Sequence, residues 1–257
     1  MKTLAVLPAR YASTRFPGKP LALIAGKPMI QWVWEAAQRA GVNTVVIATD
    51  DERIAAVVND FDGRVVFTDP TLASGTDRVA AAMDKLGEEF DIVLNIQGDE
   101  PAMHHETIAS VVDLMTKKPD LPMGTAACPF YTPDEIFNPN NVKVVLDNQN
   151  RALYFSRSAI PYLRSSTCFE MDFRSWMSTN QLSLFRRHLG IYAYRPHILK
   201  QFTLLSPHPL EQVEMLEQLR ALAAGIAIGV AETPHCSLGV DTPADVAGAE
   251  EMLNARL

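Results

Sequence analysis

The 257 residues predict an α/β fold, a doubly wound and mostly parallel sheet with a small β-rich appendage. Three observations carry that prediction. Short apolar runs alternate with stripes of helical period through the first half of the chain. Such alternation calls for parallel strands joined by right-handed crossover helices. The first apolar run is followed by a cationic turn, and sheets of this kind bind ligands beyond the carboxyl ends of their strands.

Taken in order, Thr3–Leu7 is a short apolar strand, and Pro28–Ala40 carries Met29, Ile30, Val33, Trp34 and Ala37 at helical spacing with Gly41 as its stop. Thr44–Thr49 reads as strand, Asp51–Val58 as helix, Val65–Thr68 as strand, Thr76–Leu86 as helix and Asp91–Ile96 as strand. Ile108, Val111, Val112 and Met115 then mark one face of a further helix. After about residue 123 the rhythm changes. Asn141–Leu146 and Ala152–Ser156 flank Asp147-Asn148-Gln149-Asn150 as a hairpin would. Residues 163–187 have no clean period and are expected to be irregular, a lid or a subunit contact. Leu189–Tyr194 returns to strand, and Pro209–Ala223 predicts one helix with Val213, Leu216, Leu219 and Ala223 on a single face. Ile226–Ala231 is the last strand; Ser237–Val240 is strand-like. Thr242-Pro243-Ala244-Asp245 opens a closing helix, with Thr at the cap and an acid three residues on. No repeat or linker divides the chain, so residues 1–257 are expected to form one domain, its β-rich part at about 123–195.

Composition narrows the function. The formal charge of -7 and pI near 5.4 argue against a general nucleic-acid surface. No apolar run reaches the roughly 18–20 residues that span a bilayer, and no secretory signal pattern opens the chain. Cys128, Cys168 and Cys236 are odd in number and widely spaced, which argues against a disulfide framework and for a reducing cytoplasm.

Against that acidic whole, the first 34 residues carry Lys2, Arg10, Arg15, Lys19 and Lys27 and no acid. Between Leu7 and Pro20, small residues allow backbone amides to approach a polyphosphate, while Arg and Lys supply forked and point charges to its oxygens. An ordinary solvated basic loop would contain the same residues. The turn matches neither the G-x-G-x-x-G nor the P-loop pattern. Asp99, just past an apolar strand and Gly98, and Asp241, before the closing helix, are candidates for holding Mg²⁺ with substrate phosphates; each could instead serve a turn or a cap. Ser74 could meet a ligand or cap the helix that follows. Arg157 ends a strand where it could clamp a carboxylate, and His188 sits beside Arg186 and Arg187. His104 and His105 are adjacent and read as surface, and Trp32, Trp34 and Trp176 read as packing. No Ser–His–Asp or Cys–His pattern supports covalent catalysis.

Together, L-P-A-R-Y-A-S-T-R-F-P-G-K-P-L at the start, A-T-D-D at 48–51, S-G-T-D-R at 74–78, N-I-Q-G-D-E-P at 95–101, F-N-P-N-N-V-K-V-V at 137–145, A-L-Y-F-S-R at 152–157, R-H-L-G-I-Y at 187–192, P-L-E-Q-V-E-M-L-E-Q-L-R at 209–220 and G-V-D-T-P-A-D at 239–245 resemble the 3-deoxy-manno-octulosonate (Kdo) cytidylyltransferases. Ser165–Phe185 departs from the family pattern. The resemblance implies a nucleotide-diphospho-sugar transferase-like sheet. The implied reaction is CTP plus a 3-deoxy-octulosonic acid giving the CMP-sugar and pyrophosphate, a step toward lipopolysaccharide. It implies Arg10, Arg15 and Lys19 on the triphosphate, Ser74 near cytosine, and Asp99 and Asp241 on Mg²⁺. It further implies Arg78, Gln97, Arg157, His188, Tyr192 and Glu211 around the sugar acid, with Arg157 or His188 near its carboxylate, and a cytoplasmic homodimer. An 8-amino analogue or sialic acid as substrate, a regulatory nucleotide-binding module and a Rossmann oxidoreductase are the alternatives; the missing glycine fingerprint counts against the last.

Overall fold

The computed structural model describes residues 1–13, 15–162, 164 and 182–255. Most of the irregular stretch at 163–187, with Cys168 and Trp176, therefore lies outside the described residues. In the central sheet, β1 (Thr3–Ala9) pairs in parallel with β4 (Thr44–Thr49) and, on its other side, with β6 (Ile92–Ile96). The β4 strand in turn pairs with β5 (Arg64–Phe67). Beyond β6 lies β10 (Arg186–Tyr194), antiparallel, followed by β7 (Met123–Pro129) and β11 (Ile228–Glu232), which are parallel to each other. The small β2 (Leu23–Ile24) and β3 (Lys27–Pro28) form a separate ribbon. β8 (Lys143–Leu146) pairs with both β10 and β9 (Ala152–Ser156), so the β-rich appendage is an extension of the main sheet.

Alternation along β1 explains why both faces need cover. Ala5, Leu7 and Ala9 join a core with α1 (Met29–Arg39), α2 (Glu52–Asp60) and α4 (His105–Lys117). Leu4 and Val6 face the other core, with α3 (Gly75–Leu86) and α6 (Pro196–Thr203). Each fully buried Leu or Val among them contributes about 1.5–3 kcal/mol, and a strand buried on both faces reads as a continuous apolar run. Because β4 follows β1 on one side and β6 lies on the other, the chain reverses its winding between β1 and β6. The crevice beyond their carboxyl ends is the position such sheets reserve for ligands.

Several expectations need correction. Met123–Pro129 is a central strand although its small residues have little β preference, as is the short α5 (Pro133–Phe137) a helix beyond the sequence reading. The helix expected over Pro209–Ala223 is two, α7 (Pro209–Glu214) and α8 (Gln218–Ala223), separated by Met215 at φ 53°. The break turns Leu216 and Leu219 into the core and leaves Val213 exposed, so the expected single apolar face does not form. Ser237–Val240 is not a strand; the closing segment instead enters a short 3₁₀ turn and α9 (Val246–Asn254). A disulfide joins Cys128 to Cys236, with Cα atoms 5.6 Å apart, against the sequence expectation of none. Pairing of β7 with β11 brings together two residues that are 108 positions apart.

Candidate active site

A cleft of about 440 Å³ opens at the switch between β1 and β6, lined by Arg10, Ser13, Arg15 and Lys19 from the first turn, Ser74 and Gly75 from the start of α3, and Gln97, Gly98 and Asp99 after β6. The turn has a fixed shape. Gly18 N–H bonds to Tyr11 O at 2.9 Å, and Gly18 itself lies at φ 70°, a left-handed conformation that glycine adopts without strain. Lys19 Nζ donates to Asp99 Oδ2 at 2.7 Å and to Asp241 Oδ1 at 3.4 Å, while Arg15 reaches Asp241 Oδ1 at 3.0 Å. Val240 N–H donates to Asp99 O at 2.8 Å, pinning the closing segment against the end of β6. Asp245, not Asp241, closes the cap, accepting from Thr242 and Asp241 N–H at 2.8 and 3.0 Å. The Asp241 carboxylate is thereby left to the cations. Two acids from distant parts of the chain thus share one ammonium group.

Ser74 fulfils its reading as a helix cap. Its hydroxyl accepts from Asp77 N–H at 3.1 Å and donates to the Asp77 carboxylate at 3.0 Å, completing a capping box, and the residue lines the cleft. Behind it Glu217 accepts from Thr76 Oγ1, and burial raises its pKa. Arg10 is turned toward Leu72 O.

Beside the cleft, and sharing Asp99 with it, a smaller pocket of about 220 Å³ is lined by Glu100, Asn140, Arg187, His188, Gly190, Ser237 and Asp241. Glu100 Oε1 accepts from Gly190 N–H at 2.9 Å, and a Cβ at residue 190 would collide with that oxygen, so only glycine lets the strand approach the acid. Enclosure, with the neighbouring Asp99 charge, raises the Glu100 pKa to about 7. Burial lowers that of His188 to about 3, and its Nε2 lies 3.0 Å from Thr125 Oγ1. His188 therefore stands in the pocket as a neutral imidazole. Tyr192 lies behind it, the rings 5.4 Å apart, its phenol held protonated by burial.

Arg10, Arg15, Lys19, Ser74, Gln97, Asp99, His188 and Asp241 thus line two adjoining hollows, whereas four residues expected at the sugar acid line neither: Tyr192, which lies behind His188, and Arg78, Arg157 and Glu211. Arg78 is fully buried against Asp50 Oδ1 at 3.2 Å and Thr68. Arg157 gives Nε to Glu214 O, NH1 to Pro139 O and NH2 to Met215 O, at 2.7, 3.0 and 3.3 Å. Glu211 forms a two-oxygen pair with Arg220 at 2.6 and 2.9 Å. Glu100, Arg187 and Gly190 entered no sequence-based set, although a glycine two residues beyond His188 in a strand is the kind of signal that marks a close approach. A roomier hollow of about 650 Å³ at the opposite end of the sheet, among Asp84, Glu88, Asp91 and Lys200, gathers no comparable set.

An open parallel sheet with a cationic turn and paired acids at its winding switch defines a nucleotidyltransferase. The chain belongs to the cytidylyltransferase family, whose model matches residues 4–228. It is 46% identical over 261 residues to the 3-deoxy-manno-octulosonate cytidylyltransferase of Thermodesulfovibrio yellowstonii, covering 99% of each chain. It is 44% identical over 260 residues to the protein of the same name from Parabacteroides distasonis, covering all of both. A solved CMP:2-keto-3-deoxy-manno-octonic acid synthetase complexed with CTP superposes with a TM-score of 0.87 at 40% identity, over the full length of both chains.

Proposed function

We propose that the protein transfers CMP from CTP to the anomeric hydroxyl of a 3-deoxy-octulosonic acid, Kdo, releasing pyrophosphate and activating the sugar for lipopolysaccharide synthesis. The observation that carries the reading is Lys19 Nζ suspended between Asp99 and Asp241 at the mouth of the β1–β6 crevice. The names of the full-length relatives support the nucleotide and the acid. The hydroxyl attacks the α-phosphorus in line, so the chain's task is positioning and charge neutralisation.

On this reading Arg10, Arg15 and Lys19 take the triphosphate, and Lys19 gives up its carboxylate partners to meet the charge that grows on the leaving pyrophosphate. Ser74 and the amides around it face cytosine. Two carboxylates that already share a cation, with only oxygen donors, suit Mg²⁺, which Asp99 and Asp241 would hold. When bound, the ion supplies positive charge to phosphate oxygens. Kdo enters the smaller pocket. Gln97, from the adjoining cleft, and neutral His188 hydrogen-bond its hydroxyls with Tyr192 behind His188, and Arg187, the cation of that lining, meets the carboxylate. A cytoplasmic homodimer belongs to the same reading, with exposed Leu153, Tyr162 and Leu184 as apolar material for a contact. Among the described residues no helix is long and apolar enough to cross a membrane.

The test is pyrophosphate release with each nucleoside triphosphate against Kdo, its 8-amino analogue and sialic acid. The expected result is release that requires both CTP and Kdo. CTP binding without release under every pairing would make the chain a regulatory module, and faster turnover with either other acid would reassign the substrate.

A further inference from the structure

Away from both pockets, the start of α4 meets the loop that follows β11. His104 caps α4, its Nδ1 accepting from Glu106 N–H at 3.3 Å. Glu106 Oε2 lies 2.6 Å from His235 Nε2 and 3.9 Å from His104 Nδ1. The imidazoles of His104 and His235 stack with centroids 3.8 Å apart and planes within 19°. One ligand atom from each of the three residues falls within 4.8 Å of the other two. The support below is polar and buried. His235 N–H donates to Thr233 Oγ1 at 3.2 Å, and that hydroxyl lies 3.2 Å from Thr107 Oγ1, so loop and helix are stitched together beneath the rings.

An ion pair between Glu106 and His235 and a helix cap from His104 each use a single contact, whereas ligand atoms of all three residues converge on one point. Two protonated imidazoles stacked face to face would repel, whereas two neutral ones beside a carboxylate form a ready donor set. We propose that His104, Glu106 and His235 bind a divalent transition-metal ion, Zn²⁺ foremost, at a site distinct from the Asp99–Asp241 pair. Two nitrogens and one carboxylate oxygen favour zinc, copper or nickel, while the all-oxygen pair favours magnesium; the donor chemistry sorts the two ions. Side-chain exposures of 20%, 63% and 30% leave the ion an entry path and a place for water as a fourth ligand. The site also has a position in the chain that matters. His104 follows Asp99 closely and His235 shortly precedes Asp241, so an ion held here clamps the two segments that deliver the paired acids.

The experiment titrates chelator-treated full-length protein with Zn²⁺ alone by calorimetry, in excess Mg²⁺ so that the acid pair is engaged, and repeats it with Co²⁺ read by absorbance. One ion per chain is expected, with a rise in thermal midpoint that grows with free Zn²⁺. His235→Ala and Glu106→Gln should each weaken binding at least about tenfold, and His197→Ala, on the exposed face of α6, should leave it unchanged. Glu106→Gln guards against a His235 variant that fails to fold, since the Glu106 side chain is mostly in solvent. The proposal is overturned by absence of binding, by binding that both variants retain, by its loss in Asp99→Asn, or by a cobalt spectrum with a thiolate charge-transfer band, which would place the ion on a cysteine.

Discussion

The outer cleft and the inner pocket share Asp99, and Asp241 of the pocket reaches Arg15 and Lys19 of the cleft, yet the two handle charge in opposite ways. In the cleft Lys19, Arg15 and the two acids remain within reach of water, with the Asp241 side chain half exposed, so ion pairs there exchange partners at little cost. In the pocket Glu100, Arg187 and His188 are enclosed, and burial shifts each toward its neutral form. A charged pair assembled there would have to offset several kcal/mol of lost hydration per ion. One hollow is therefore suited to trading cations as a polyphosphate comes and goes, and the other to setting one fixed cation, Arg187, among hydrogen-bonding groups.

The largest effect should come from the acid the two hollows share. Asp99→Asn should cut turnover on the order of a thousandfold while CTP binding largely survives, as read by pyrophosphate release and nucleotide titration. Near-normal turnover would break the division at its centre. Lys19→Ala should lower kcat/KM by about a hundredfold and raise the KM for CTP; an effect on the sugar acid alone would move Lys19 to the inner pocket.

Glu100 sharpens the electrostatic side of the comparison. The folded carboxyl titrates at about 7 and the unfolded one at 4.5, so between these values the folded protein keeps a proton that the unfolded chain has lost. That group's contribution to stability falls as pH rises through the window and levels off above it. His188, shifted from 6.5 to about 3, acts in the opposite sense, its contribution being lost as pH falls from about 6.5. The proper readout is thus Glu100→Gln minus the parent protein in urea midpoints, a difference that should grow from about pH 4.5 to 7. A flat difference would mean that the acid is not enclosed. The smallest effect on catalysis should be that of Arg157→Ala, which removes donors from three carbonyls. A loss of about 1–3 kcal/mol in stability with an unchanged KM for Kdo is expected, and the reverse pattern would return Arg157 to the substrate.

How much of this was legible depends on what each residue reports about itself. Strands β1, β4, β5 and β6 could be read because burial on one or both faces leaves apolar runs bounded by turn residues. The run Met-Gly-Thr-Ala-Ala-Cys-Pro of β7 could not, since its glycine answers to a neighbour: a Cβ on Gly124 would sit 3.0 Å from Met115 Sδ of α4. Asp99 stood out as a charge just past a strand, while Lys19 and Asp241 stood out in a turn and before a helix, and only the fold brings the three together. For Arg157 the residue type suggested a carboxylate and for Arg78 the resemblance did, and only the fold decides that carbonyls take the donors of the first, and Asp50 and Thr68 those of the second. His235 lies 129 residues beyond Glu106, and no local pattern announces that meeting.

The bond from Val240 N–H to Asp99 O has a consequence for how the molecule comes into being. A growing polypeptide halted between residues 100 and 239 carries the basic turn and the earlier acid but lacks the N–H that ties the second acid's segment to them. On the proposed reading, the meeting of the two acids is thereby postponed until Val240 and Asp241 have left the ribosome.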